Sequence, residues 1–192
     1  MLCGIACVMA APAEKIYKVT SPDGSLKVEV KLNHKISYTV YSGDNLLLND
    51  CTLSLKLANG EVGFSPRVKQ AKTTLVDETV NRPIAMKNAE VRNHYNLLSL
   101  TMDDNYGVEF RVYDTGFAYR FILSKGGEIE VLHEDFTVNF PANYKAHISR
   151  TPRFKTSYEY RYTHTTTEEY GYRDEMNYLP ALLEAPSGEK IL

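Results

Sequence analysis

VEFRVYDTGFAYRFIL, residues 108 to 123, decides the fold. Val108, Phe110 and Val112 alternate with the charged Glu109 and Arg111. Phe117, Tyr119, Phe121 and Leu123 repeat that period of two. Such alternation places like side chains on one face of an extended chain. Asp114-Thr115-Gly116 between the runs carries turn chemistry, so the stretch predicts an antiparallel hairpin with one apolar face.

The same pattern spreads outward in both directions. Upstream, Leu98, Leu100 and Met102 stop at Asp103-Asp104-Asn105, and Leu53, Leu55 and Leu57 stop at Ala58-Asn59-Gly60. Leu26, Val28, Val30 and Leu32 alternate with Lys27, Glu29 and Lys31; Asn33-His34 then joins them to Ile36, Tyr38 and Val40 as a tight hairpin connection. Downstream, Gly126-Gly127 leads to Ile129 and Val131, and Phe136, Val138 and Phe140 close the series. Helical periodicity is scarce. Each strand offers one apolar face that a second sheet must cover, which predicts an all-β fold, a large antiparallel β-sandwich. Residues 77 to 95 lack the alternation and read as a long loop or a short helix.

A chain of 192 residues suits one large domain and buries roughly 70% of its unfolded surface. The net charge of −2, without a basic run, argues against a nucleic-acid partner. The 14 tyrosines, with Val, Phe and Thr, bias the composition toward strands. Residues 2 to 11 are apolar, the length of a signal-peptide core and about half of a spanning helix, so no transmembrane segment is expected. Residues 1–13 therefore read as a signal peptide without its positive start, which predicts export to the periplasm. Gly4-Ile5-Ala6-Cys7 offers a lipoprotein box as an alternative anchor. Removal of this leader leaves Cys51 as the one cysteine, a small buried hydrophobe and no disulfide framework.

At the other end, Tyr178-Leu179-Pro180-Ala181-Leu182-Leu183 reads as a strand entering the core, and Pro186-Ser187-Gly188-Glu189 as a hairpin turn. The sequence stops at Leu192, within the returning arm. Residues 16–192 are thus expected to be a domain of a longer polypeptide, incomplete at its C-terminal end.

The familiar catalytic signatures are missing: no glycine-rich phosphate loop, Cys-x-x-Cys, His-Glu-x-x-His or Gly-x-Ser-x-Gly. His34, His94, His133, His147 and His164 lack zinc-site spacing. The chemically dense stretch is FKTSYEYRYTHTTTEEYGYRDE, residues 154 to 175. If 158 to 162 is extended, Tyr158, Tyr160 and Tyr162 share one face, and Glu159 and Arg161 the other. That leaves two readings of Glu159: half of a solvated Glu–Arg pair, or a cation or substrate contact. Thr165-Thr166-Thr167-Glu168-Glu169 has helix-start chemistry, and Tyr170 and Tyr172 have rings suited to stacking on sugars.

Several stretches together resemble the N-terminal domain of glycoside hydrolase family 97, exported bacterial α-glucosidases and α-galactosidases of the starch-utilisation type. They are Thr20-Ser21-Pro22-Asp23-Gly24, Glu90 to Asn96, Val108 to Phe121, Thr156-Ser157-Tyr158-Glu159-Tyr160 and Leu179 to Leu183, in matching order and spacing. The resemblance implies a β-supersandwich of the galactose-mutarotase-like kind, followed by a catalytic (β/α)8 barrel and a small β-domain. It places the catalytic carboxylates and most calcium ligands in that barrel. It implies that Glu159 is the glutamate this domain sends to the active-site calcium, with Thr163 to Glu175 bordering the same wall. Further implications are an oligo- or polysaccharide substrate and an exposed apolar patch where the barrel docks. The domain alone would be inactive, since hydrolysis needs a flanking pair of carboxylates. The alternatives are a stand-alone sugar-binding or structural β-sandwich, and an adhesion module with no sugar role.

Overall fold

The computed structural model describes residues 15–84, 86–124, 126–170 and 176–192. The leader read over 1–13, with Cys3 and Cys7, lies outside the described residues, as does Tyr172. The chain opens as a meander of five strands: β1 (Lys15–Thr20), β2 (Leu26–Leu32), β3 (Ile36–Ser42), β4 (Asn45–Leu57) and β5 (Gly60–Val62). A second meander follows in β6 (Val68–Asn81), β7 (Glu90–Met102), β8 (Tyr106–Tyr113) and β9 (Gly116–Leu123). The chain then returns to the first sheet as β10 (Val131–Phe136) and finishes with β11 (Lys145–Thr151), β12 (Tyr162–Thr166), the short helix α1 (Thr167–Tyr170), β13 (Met176–Glu184) and β14 (Lys190–Ile191).

All pairings are antiparallel. The first sheet runs β1-β2-β3-β4-β10, with β5 on β4; the second runs β6-β7-β8-β9. Val28, Val30, Ile36, Tyr38 and Leu53 of the first sheet meet Leu98, Leu100, Val108, Phe110 and Val112 of the second in one buried cluster. These are the alternating apolar positions of the sequence, and their burial against a facing sheet makes the sandwich. The 108–123 hairpin forms as read: Val108 faces Phe121, Phe110 faces Tyr119, and Tyr113 faces Gly116 across the two-residue turn. Glu109 is carried inward with the strand and is held by the Arg120 Nε at 2.7 Å. Cys51 is buried, as expected, and burial pushes its thiol pKa up.

The structure corrects four expectations. The described residues between 77 and 95 hold no helix: β6 and β7 pair from Val68↔Met102 to Asn81↔Glu90 as one long hairpin. β6 is polar and exposed along most of its length, so no apolar face announced it. It exists because its backbone pairs with β7, whose inner half is anchored by Tyr95, Leu98, Leu100 and Met102. Val138 and Phe140 pack against the core from outside any strand. The two layers are flanked by a third sheet, ordered β12-β11-β13-β14. Finally, β13 does not enter the core; its residues are half-buried or exposed, and Leu179 is 88% exposed.

The third sheet is tied to the sandwich at one end. The Tyr144 hydroxyl donates to the Leu47 carbonyl at 2.9 Å, and the buried Ala185 joins the main core cluster. The Pro186–Glu189 hairpin closes as read, with Leu183 opposite Ile191 and Glu184 opposite Lys190. Ala146 and Ile148 of β11 face inward, which leaves its alternate residues Lys145, His147 and Ser149 on the other face.

Candidate functional site

The tyrosine-rich segment leaves β11 at Thr151, whose hydroxyl donates to the Arg153 carbonyl at 2.9 Å and starts the turn. The segment then crosses the outside of the third sheet without strand pairing until Tyr162. The regular 158–162 strand with tyrosines on one face is therefore not formed. Tyr158 takes the left-handed conformation, with φ of 61°, and breaks the alternation before Glu159. Two contacts hold it there: its hydroxyl donates to the Phe154 carbonyl at 3.1 Å, and its ring lies 4.6 Å from the Tyr178 ring on β13. Further along, the Ser149 hydroxyl of β11 donates to the Tyr160 carbonyl at 3.0 Å.

The result is an open depression of about 300 Å³ lined by Phe154, Tyr158, Met176, Tyr178 and Leu179 together with Thr151 and Asn177. Phe154 is 77% exposed, and Tyr158, Met176 and Leu179 beside it are exposed, as are Tyr160 and Tyr162 further along the segment. This is an exposed apolar patch of the sort expected for a covered interface. The Asn177 amide oxygen and the Tyr178 hydroxyl are buried without a hydrogen-bond partner among the described residues. Rings and unmet polar atoms together suit a ligand that has both hydroxyls and apolar faces.

Glu159 stands between Tyr158 and Tyr160, exposed, with no hydrogen bond or ion pair among the described residues. The Glu159–Arg161 pair is thus not made. No cluster of three or more histidine, cysteine, aspartate or glutamate side chains converges there or elsewhere among the described residues. The helix-start reading of Thr165–Glu169 is realised in α1: the Thr166 hydroxyl accepts from the Glu169 N–H at 3.4 Å, and the Thr165 hydroxyl donates to the Glu169 carboxylate at 2.9 Å. Asn143, 24 residues upstream, adds an anchor the sequence did not show. Its side-chain oxygen accepts from the Glu168 N–H at 3.2 Å and the Thr167 hydroxyl at 3.3 Å. Tyr170 remains exposed and lies beneath the Arg150 guanidinium at 5.8 Å. His94 sits in β7 opposite Asp77, away from this face.

The sequence from residue 19 to residue 192 matches the family described as Glycosyl-hydrolase 97 N-terminal. The chain belongs to this family. As a glycosyl-hydrolase 97 N-terminal domain, it is 28% identical over 201 residues to a retaining alpha-galactosidase of Bacteroides thetaiotaomicron, a match that spans 100% of this chain and 30% of that protein. The fold recurs in the crystal structure of a beta-arabinopyranosidase, with a TM-score of 0.72, 21% identity, and coverage of 88% of this chain and 29% of the other. It recurs also in a glycoside hydrolase family 97 enzyme in complex with acarbose from Pseudoalteromonas sp. strain K8, with a TM-score of 0.73, 18% identity, and coverage of 88% and 27%. The domain thus accounts for under a third of the length of each of these proteins. No helix among the described residues is long and apolar enough to cross a membrane.

Proposed function

We propose that this chain is the carbohydrate-associated N-terminal β-sandwich of an exported α-glycosidase, acting on an oligo- or polysaccharide. The outer side of the third sheet packs on a catalytic (β/α)8 barrel of the same polypeptide, and Glu159 supplies one ligand to a calcium ion at the shared active site. The observation that carries this is the exposed Glu159 carboxylate, unpaired among the described residues and flanked by exposed aromatic rings, on a domain that makes up 30% of its alpha-galactosidase relative. The donor fits the ion in kind, because calcium takes carboxylate oxygens, but not in number, because it takes six to eight. Glu159 would therefore complete a set held mainly by the barrel, where the ion positions carboxylates and substrate. The apolar stretch at residues 2 to 11 supports export, with Cys7 as a site for a lipid anchor.

The test compares this chain with the polypeptide extended by its downstream coding sequence. The chain alone should leave aryl α-glucosides and α-galactosides intact. The extended protein should hydrolyse one of them in a calcium-dependent manner, and Glu159→Gln should raise the calcium needed for half-maximal activity at least about tenfold. An unchanged calcium requirement in that variant would remove Glu159 from the site. A second reading, a stand-alone sugar-binding module, is favoured by the aromatic depression alone; glycan affinity of the isolated chain that is lost in Tyr178→Ala would support it.

A further inference from the structure

We infer that His147 and His164 form a bidentate site for a borderline divalent transition metal, with copper(II) preferred over nickel and zinc. The two histidines lie directly opposite each other on β11 and β12, 17 residues apart in sequence. Both project from the outward face of the third sheet, the face of β11 that also carries Lys145 and Ser149. Their Nδ1 atoms converge to 2.6 Å, with the rings crossed at 74°. Two Nδ1 atoms this close share one proton in a hydrogen bond, and a metal that displaces that proton is held by both imidazoles, which suit copper, nickel and zinc.

The bite of the pair sets its preference. With metal–nitrogen bonds of about 2.0–2.1 Å, a tetrahedral ion needs its two nitrogens roughly 3.3 Å apart, and a square-planar ion roughly 2.9 Å. From 2.6 Å, the pair opens by about 0.3 Å for the square-planar ion and about 0.7 Å for the tetrahedral one. The smaller movement favours copper(II) and nickel over tetrahedral zinc, and the stronger intrinsic affinity favours copper(II) over nickel.

Glu184 supplies the supporting contact. Its carboxylate lies 3.6 Å from the other ring nitrogen of His147, Nε2, and so favours a proton there and a lone pair at Nδ1. In the metal-free pair, His164 then donates its Nδ1 proton to His147. A bound metal takes the place of that proton, and His164 carries its proton on Nε2 instead. Lys145 and Lys190 sit 3.8 and 3.9 Å from the same carboxylate, and their positive charge works against binding of a cation. In the chain without the proposed barrel water fills the remaining positions, since no third side chain of the described residues converges with the pair. A metal here would clasp to β11 the strand that continues from Glu159.

The test is calorimetric titration of the 192-residue chain with copper(II), nickel and zinc chlorides. Cys3→Ser and Cys7→Ser form the background, so that those thiols do not compete. One equivalent should bind, in the order copper, nickel, zinc, and the copper(II) paramagnetic resonance spectrum should show coupling to two nitrogens. His147→Gln and His164→Gln should each weaken copper binding at least about tenfold, by loss of the chelate. Glu184→Gln should weaken it by about tenfold or less, and His133→Gln should not. The metal should also raise the melting temperature of the parent and not of His164→Gln. Equal copper affinity in the doubly substituted chain, or no binding below millimolar metal, would overturn the assignment.

Discussion

Replacing Gly63 with alanine isolates a steric constraint on which the joint between the two meanders depends. Gly63 follows β5 with φ of 93°, and its carbonyl accepts the Ile36 N–H at 3.1 Å. A Cβ there would stand 2.8 Å from the Leu53 carbonyl oxygen, 3.0 Å from the Ser54 Cα and 3.1 Å from the Ser54 Cβ. Those atoms belong to β4, which is paired to β3, β5 and β10 and cannot swing aside as a flexible side chain would. The positive φ costs about 1–2 kcal/mol for a residue bearing a Cβ, and forcing the contact adds about 1–3 kcal/mol. The sum is about 2–5 kcal/mol. Gly24 supplies the control, with φ of 77° and no atom within 4 Å of a Cβ, so Gly24→Ala meets only the first cost. With a urea m-value of about 2.5 kcal/mol per M for a domain of this size, Gly63→Ala should lower the unfolding midpoint by about 1–2 M and Gly24→Ala by about 0.5 M. Far-UV circular dichroism in urea reads both. A Gly63→Ala loss no larger than that of Gly24→Ala would show that the strand gives way and would refute the steric argument.

Three further outcomes follow from individual contacts. The Asp23 carboxyl is held at about 2, down from 3.8, by the Ser21 hydroxyl first and then by the Ser25 N–H and hydroxyl. A depressed carboxyl stabilises the fold above its unfolded value and loses that effect as pH falls through the folded one; Asp23→Asn should therefore flatten the stability profile between about pH 4 and pH 2, read as the urea midpoint at each pH, whereas an unaltered slope would mean the turn is not formed in solution. Glu159→Gln should leave the unfolding free energy within about 0.5 kcal/mol of the parent, because the carboxylate is exposed and unpaired among the described residues; a larger loss would expose a structural partner and sink the lone-ligand reading. Phe154→Ser with Leu179→Lys should be equally silent in stability yet reduce self-association in sedimentation velocity at high concentration, and no reduction would show that the patch is not the adhesive face.

The sandwich was legible wherever one strand face is buried and the other is wet. The 108–123 hairpin, β2 and β3 all carry that asymmetry in their side chains, and the facing sheet follows from it. β6 was not legible, because its stability comes from backbone pairing with β7 and leaves no pattern in its own residues. The candidate site divides in the same way. Glu159 and its tyrosines were visible as residues, and the helix start at Thr165–Glu169 was visible as capping chemistry. The path of the segment was not: Tyr158 turns against the alternation because the Tyr178 ring and the Phe154 carbonyl hold it, and the ring contact depends on where β13 lies. Asn143 and the facing of His147 and His164 were hidden for the same reason.

What the sequence determined by itself was local: period-two apolar faces, turn residues between them, and the composition of an all-β domain that must cover those faces. What only the tertiary structure decided was non-local: the third sheet, the exposed aromatic depression beside Glu159, and the meeting of two histidines across β11 and β12. Strand alternation is fixed by the geometry of each chain segment, whereas register between distant strands is fixed by packing that no single segment contains.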